Sequence, residues 1–400
     1  MKKFEIPEKF KSSIISELKT KRRSEDPRKK DFSPTELNFG HVKFFISRHF
    51  GFCFGVEHAI EIAYKIIDEN PGRRIYFLSE MIHNPVVNAD LMSRGVKFVS
   101  DTHGSQLIGW DELTSEDIII IPAFGTTVET ETLLKEKGID TVKFNTTCPF
   151  VEKVWKKAES LGNENYTVII HGKAVHEETR ATFSRSSRRA PSVIVRDLEE
   201  TKTLCGIISG EIEAREFYKL FKDKFTPGFN SVKDLMRVGV VNQTTMLASE
   251  TQAIADMLKE TMTKKYGAEN LKDHFADTRD TLCYATNDNQ QATLALLDSP
   301  ASFAVVVGGY NSSNTTHLVE LLERKFKTYF ISGADKIISG NEIKHFDIHA
   351  KKEITTKDFL NTQNAGRLSV AVTSGASCPD SVVDEVLKKL IEISEGKEKE

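Results

Sequence analysis

The chain has 400 residues, 39% of them hydrophobic and 28% charged, more than one compact core accommodates, so two or three globular domains are expected. A formal net charge of −3 supplies no global basic field for nucleic acid. No run approaches the roughly 18 apolar residues of a membrane span.

Residues 1–40 open without the apolar core of a secretory signal, and their acidic residues argue against a transit peptide, so a cytoplasmic protein is expected. Residues 19–31 (KTKRRSEDPRKKD) are densely charged and read as a solvated extension. Beyond them, six segments repeat one pattern: a β-branched run, a small-polar loop, then helix-period sequence. Val42–Ser47 leads through GFCFG into a helix whose Val56, Ala59, Ile60, Ala63 and Ile67 share one face. Ile118–Ile121, Thr167–Ile170, Val238–Val241, Phe303–Val307 and Leu368–Val372 lead through PAFGTT, HGKAVHEET, NQTT, GGYNSSNTTH and TSGASCPD. Strands alternating with helices predict parallel α/β sheets, in which post-strand loops line the ligand crevice. Each loop taken alone reads as an N-cap or tight turn. Several converging donor-rich loops point to a shared anionic ligand. Residues 185–192 and 223–234 read as surface insertions flanking a segment of undefined structure. Neither a Walker A motif nor a complete dinucleotide fingerprint is present, since GFCFGV lacks the third glycine.

Five cysteines in a chain without an export signal argue against a disulfide framework. Cys53 (GFCFG), Cys148 (NTTCPF) and Cys283 (DTLCYATND) each precede a predicted helix, and Pro149 suits a first helical position. A helix N-terminus favours the thiolate, the form that binds metal. Three thiolates suit an iron–sulfur cluster or zinc, although their spacing matches no local cluster motif. On a four-iron cluster, three cysteines leave one iron open as a Lewis acid, which suits reductive removal of a hydroxyl group. Cys205 reads as a buried residue, and Cys378 lies in a donor-rich loop.

His83 (MIHNPVV) and His176 follow predicted strands, where imidazole donates to phosphate oxygens. Glu178 reads equally as a proton donor or as a first-turn helix carboxylate. Thr244 and Thr245 read as caps or as a hydroxyl relay to that proton. Asn311, Ser312, Ser313, Asn314 and Ser377 offer neutral donors to a diphosphate.

GFCFGVEHA, EMIHNPVVN, TTCPFVEKVW, HGKAVHEET, NQTTM, LCYAT, GGYNSSNTTHL and TSGASCPD, in this order over about residues 44–390, resemble the motif series of the 4-hydroxy-3-methylbut-2-enyl diphosphate reductase family, in its cyanobacterial and plant-type branch. The resemblance implies three parallel-sheet α/β domains in a pseudo-threefold arrangement around one 4Fe-4S cluster held by Cys53, Cys148 and Cys283. The domains would span 41–148, 149–282 with an insertion near 185–235, and 283–390, with the Cys53 strand packing in the third and a charged tail at 391–400. It implies diphosphate ligands at His83, His176, Ser312, Ser313, Asn314 and Ser377, a proton-delivering Glu178, and Thr244 near the substrate hydroxyl. The implied reaction is reductive dehydroxylation of (E)-4-hydroxy-3-methylbut-2-enyl diphosphate to isopentenyl and dimethylallyl diphosphate, the last step of the non-mevalonate isoprenoid pathway. Ferredoxin or flavodoxin would supply electrons; neither nucleic acid nor membrane takes part. One departure is Phe124, where many bacterial members carry a histidine; Lys173 is the nearby candidate for the missing positive charge. A cluster-free enzyme handling phosphate esters and a small-anion binding protein are the competing readings.

Overall fold

In chain order the strands of the computed structural model are β1 (Thr35–Asn38), β2 (Val42–Ile46), β3 (Ile75–Phe77), β4 (Lys97–Phe98), β5 (Ile118–Ile120), β6 (Thr167–His171), β7 (Ser192–Val195), β8 (Val238–Asn242), β9 (Phe275–Ala276), β10 (Phe303–Val307), β11 (Thr328–Ile331), β12 (Ile337–Ser339), β13 (Glu342–Asp347), β14 (Lys352–Lys357) and β15 (Leu368–Ser374). The structure describes residues 4–276, 278, 281–360 and 368–396. The described chain forms two compact units: residues 1–61, 82–90 and 284–400, and residues 62–81 and 91–283.

The first unit holds a five-stranded sheet of order β1-β2-β15-β10-β11. Its three pairings from β2 to β11 are parallel, and β1 joins antiparallel at the edge. The parallel strands read as unbroken apolar runs, such as Phe303–Val307, because helices cover both faces and leave no face for polar residues. Strand β1 alternates between half-buried and exposed residues, as an edge does. One core layer gathers Phe44, Ile46, Val305, Val307, Val370, Val372 and the helix residues Val383, Val386 and Leu390; the opposite layer gathers Phe45, Val306, Leu318, Leu322 and Phe330. A small antiparallel sheet, β12-β13-β14, belongs to the same unit.

The second unit carries two further parallel sheets, β4-β3-β5 and β7-β6-β8-β9. Ile119, Ile121, Tyr76 and Leu134 centre the core of the smaller one. In the larger, Ile169, Val193, Leu204, Val240, Ile254 and Leu258 fill one side, and Val168, Ile170, Val241, Val154 and Leu161 the other. Three parallel α/β sheets are therefore present: the sequence pattern predicts parallel α/β sheets, and the family resemblance implies three. Each of the six predicted runs is a strand.

One expectation needs correction, and one segment left open by the sequence has a regular structure. The charged stretch at 19–31 is not simply a solvated extension. Residues Ser13–Glu25 form a helix capped by Ser12, whose side chain accepts from the amide of Ile15, and Ile15 is wholly buried in the core. One apolar anchor every turn or so suffices to dock a helix whose other faces stay charged. Between the two surface insertions lies a regular strand and helix: β7 and Leu198–Ser209, capped by Asp197 and closed by Gly210 in the left-handed region.

Candidate functional site

Most candidate residues lie on connections that follow a parallel strand, whereas Cys148 follows the isolated bridge of Asn145 with Ile121. In the second unit the loop after β6 turns at Gly172 and enters the helix Glu177–Ser186 with His176 as its N-cap. His176 Nδ1 accepts from the amide of Glu178 at 3.2 Å, which places the proton of the neutral ring on Nε2. Glu178 is 1% exposed. Its Oε1 accepts from the Thr244 amide at 2.6 Å and its Oε2 from the Thr244 hydroxyl at 3.0 Å. The sequence leaves Glu178 balanced between a helix-dipole role and a catalytic one; the paired bonds to Thr244, 66 residues away, show that the side chain is held for more than its own helix.

The same unit holds Cys148 and Cys283. Cys148 is the N-cap of Pro149–Asn163, with Pro149 at the first helical position. Its loop is tied to β5: the Thr146 amide and hydroxyl both donate to the Ile121 carbonyl, and the Cys148 amide donates to Ala123. Cys283 immediately precedes the helix Tyr284–Leu296, and its amide donates to the Thr244 carbonyl at 3.4 Å. Thr244 thus touches both Glu178 and the Cys283 backbone.

The helix-end amides act on the Cys148 thiol in the expected direction, but burial outweighs them. Its pKa is pushed up to about 11, first by burial, with the neighbouring Cys283 sulfur and Glu178 carboxyl adding to the rise; the Phe150 and Val151 amides oppose it too weakly. In this environment the thiolate needs a cation to replace the proton.

In the first unit, Cys53 precedes the helix Phe54–Glu69, and its amide donates to the Ala376 carbonyl at 3.1 Å. The Ala376 amide donates to Asn314 Oδ1 at 2.9 Å, and the Ser377 hydroxyl donates to the His83 carbonyl at 3.0 Å. Ser312 caps the helix Ser313–Leu322, accepting from the Thr315 amide. The loops after β2, β10 and β15 and the His83 segment are thereby laced together. Two glycines permit the approach. A Cβ on Gly309 would stand 2.3 Å from the His83 carbonyl oxygen, and one on Gly375 1.9 Å from Thr315 Oγ1. His83, Ser312, Ser313, Asn314 and Ser377 are each at most 8% exposed. Asn314 Nδ2 is buried with no hydrogen-bond partner among the described residues, a donor set for a ligand acceptor.

The first unit therefore brings together Cys53, His83, Ser312, Ser313, Asn314 and Ser377, and the second Cys148, Cys283, His176, Glu178, Thr244 and Thr245. Among the described residues, no three His, Cys, Asp or Glu side chains are gathered as the ligands of a single metal ion are. The five cysteines are all free thiols, and Cys378 is fully buried, its thiol pushed up by burial.

Several supporting residues escape sequence reasoning. Gln243 is 1% exposed; its Oε1 accepts from the Thr179 hydroxyl at 3.0 Å and the Lys173 amide at 3.3 Å, while its Nε2 donates to Thr245 at 2.7 Å. Asn242 Oδ1 accepts from the Thr281 amide and hydroxyl, fixing the segment that leads to Cys283. Their position between a β-branched run and TT was the available signal. Phe124 meets the His176 ring edge-on, with centroids 5.7 Å apart, so the departure at this position packs against a candidate ligand.

Three parallel α/β sheets, with thiols and hydrogen-bond donors on the loops of each unit, define the class as a multi-sheet α/β protein. Residues 44–391 match the family model described as LytB protein, and the chain belongs to that family. It is 40% identical to the 4-hydroxy-3-methylbut-2-enyl diphosphate reductase of Gloeobacter violaceus over 360 residues, 89% of this chain and 84% of the relative. It is also 40% identical to that of Prochlorococcus marinus over 391 residues, covering 97% and 92%. Among solved structures, it resembles the E-1-hydroxy-2-methyl-but-2-enyl-4-diphosphate reductase of Plasmodium falciparum in fold, with a TM-score of 0.61 at 19% identity, covering 87% of this chain and 86% of the other. A structure of (E)-4-hydroxy-3-methyl-but-2-enyl diphosphate reductase matches with a TM-score of 0.52 at 23% identity, covering 88% and 99%.

Proposed function

We propose that this chain reductively dehydroxylates (E)-4-hydroxy-3-methylbut-2-enyl diphosphate to isopentenyl and dimethylallyl diphosphate, the terminal step of the non-mevalonate pathway. The observation that carries the site assignment is the double hydrogen bond from Thr244 to buried Glu178, beside Cys148 and Cys283.

Cys53, Cys148 and Cys283 are the residues that would hold one 4Fe-4S cluster per chain; the raised Cys148 thiol and the thiol beside it suit a site completed by a cation. When bound, that cluster supplies single electrons and one coordination position that no cysteine fills. The remaining work falls to the protein. His83, His176, Thr245, Ser312, Ser313, Asn314 and Ser377 bind and orient the diphosphate; the unpartnered Asn314 amide supports that role. Lys173 adds positive charge where Phe124 cannot donate. Glu178 holds the proton. With Oε1 occupied by the Thr244 amide, the acid form carries its proton on Oε2 and donates to Thr244 Oγ1, whose own hydroxyl proton then passes to the departing oxygen. A cytoplasmic setting with ferredoxin or flavodoxin as donor completes the reading; among the described residues no helix is long and apolar enough to cross a membrane.

Glu178→Gln keeps the carboxyl's shape but not its acidity. Anaerobically purified variant is expected to match the wild type in iron, sulfide and absorption spectrum while losing about 10²–10⁴ in kcat with reduced methyl viologen. Full turnover in this variant removes Glu178 from the proton path.

A further inference from the structure

The loop that carries Ser312, Ser313 and Asn314 leaves β10 through two glycines, Gly308 and Gly309. Glycine accepts many backbone conformations, so such a loop takes its position from the anchors that follow. Tyr310 is the first side chain after the glycines, two residues ahead of Ser312 and four ahead of Asn314. Its ring stacks on Phe346 of β13, with centroids 4.8 Å apart, and meets Phe330 of β11 edge-on at 5.1 Å. Its hydroxyl donates to Glu353 Oε1 of β14 at 2.9 Å. Glu353 is itself fixed: Lys336 Nζ lies 2.8 Å from Oε1 and Lys344 Nζ 3.0 Å from Oε2. Packing accounts for the ring, since Phe330, Phe346 and Tyr310 share one apolar layer. It does not account for the hydroxyl, which meets a charged acceptor supplied by a different sheet.

We infer that Tyr310 is a positioning residue for the anion-binding loop, and that the small sheet β12-β13-β14 sets diphosphate affinity through it. The inference rests on the proposed assignment of Ser312, Ser313 and Asn314 to the diphosphate, and adds a residue and an element outside that set which hold it in place. Ring packing is weakly directional, and a ring can slide in its own plane. A hydroxyl bonded to a carboxylate that two ammoniums hold fixes how far the ring is inserted. Burial pushes the Tyr310 hydroxyl pKa upward, which keeps the group a donor. The position of Tyr310 passes directly to the ligand donors. The Ser312 amide donates to the Gly309 carbonyl at 3.0 Å, and Ser312 caps the helix whose first turn holds Asn314. Hydrogen bonds weaken steeply with poor angle, so a small displacement of the buried Asn314 Nδ2 costs affinity.

The test reads binding and turnover on the full, cluster-loaded chain. Tyr310→Phe keeps the ring and removes the hydroxyl, and Glu353→Ala removes the acceptor. Ile343→Val, in the buried core beneath β13, loosens the same sheet and leaves that hydrogen bond in place, so it controls for stability. Calorimetric titration with inorganic diphosphate is expected to give a Kd about three- to tenfold above wild type in Tyr310→Phe and in Glu353→Ala. The double variant should bind no more weakly than the weaker single one, because one bond is lost only once. With reduced methyl viologen as donor, the KM for (E)-4-hydroxy-3-methylbut-2-enyl diphosphate should rise by the same factor while kcat stays within about twofold. Ile343→Val should lower Tm and leave Kd within about twofold of wild type. Wild-type affinity in Tyr310→Phe overturns the inference. So do additive losses in the double variant, or a loss of affinity in Ile343→Val that matches that of Tyr310→Phe. Asn314→Ala separates this inference from the reading beneath it. Weakened diphosphate binding in Asn314→Ala with none in Tyr310→Phe defeats the positioning role alone, whereas unchanged binding in Asn314→Ala defeats the assignment of the loop to the diphosphate.

Discussion

Glu178 and its neighbour Glu177 are chemically alike, and both sit in the first turn of one helix, yet only Glu178 is described in contact with Thr244. The helical step of about 100° between consecutive residues sends the two carboxyls in different directions. The glycines act at the same scale by leaving space. Gly309 abuts the backbone of His83, and that carbonyl also accepts from Ser377. Because a backbone atom cannot swing aside, Gly309→Ala is expected to shift the post-β10 loop and destabilise the protein by about 1–3 kcal/mol. Its KM for the diphosphate should rise while the Glu178 pair, in the other unit, is untouched. Denaturant melts and steady-state kinetics check both; wild-type stability in the variant contradicts the crowding seen at this position.

The elements owe their stability to ordinary patterns, and one of them carries a pH signature. In the hairpin β13–β14, Glu353 bonds Lys336 at 2.8 Å, Lys344 at 3.0 Å and the Tyr310 hydroxyl at 2.9 Å. The Lys336 ammonium first, then Lys344 and Tyr310, outweigh the desolvation of the carboxyl and hold its pKa at about 2, against an ordinary 4.5. A carboxyl depressed in the folded state stabilises it fully above the ordinary value, and that contribution is lost as pH falls from 4.5 towards 2. Between these limits Glu353→Gln is expected to flatten the fall of Tm with acidification relative to wild type, and to lower Tm at neutral pH. Parallel pH profiles of the two proteins would show no difference in slope if the three partners contribute nothing.

For the whole molecule, the cysteines separate by setting. Cys205 is buried in the core of the second unit, its sulfur 3.9 Å from the Met257 carbonyl, and burial raises its thiol. Cys53, Cys148 and Cys283 all stand at helix entrances. Iron assayed after anaerobic purification is therefore expected to be largely lost in Cys53→Ser, Cys148→Ser and Cys283→Ser and retained in Cys205→Ser. Equal iron in all four variants would remove the three-thiolate assignment.

The alternation of strand, polar loop and helix was legible because it rests on local properties. β-Branched runs favour extended backbone, Pro149 favours a first helical turn, and Ser312 and Asp197 favour caps, each within a few residues of chain. The candidate loops were legible for the same reason, since polar residues crowd where strands end. The resemblance implied that the strand before Cys53 packs in the third domain; the tertiary structure alone decided that its partner there is β15, more than 300 residues away, and that Ser377 reaches the His83 carbonyl. It decided that Ser13–Glu25 docks through Ile15 in spite of its charge, and that Glu178 rather than Glu177 meets Thr244. It also decided the net shift at Cys148, because desolvation depends on everything that surrounds a sulfur atom, whereas the helix amides that favour the thiolate are written in the next few residues. Propensity and capping act over one turn of chain; pairing, burial and charge environment depend on residues that only the completed fold brings together.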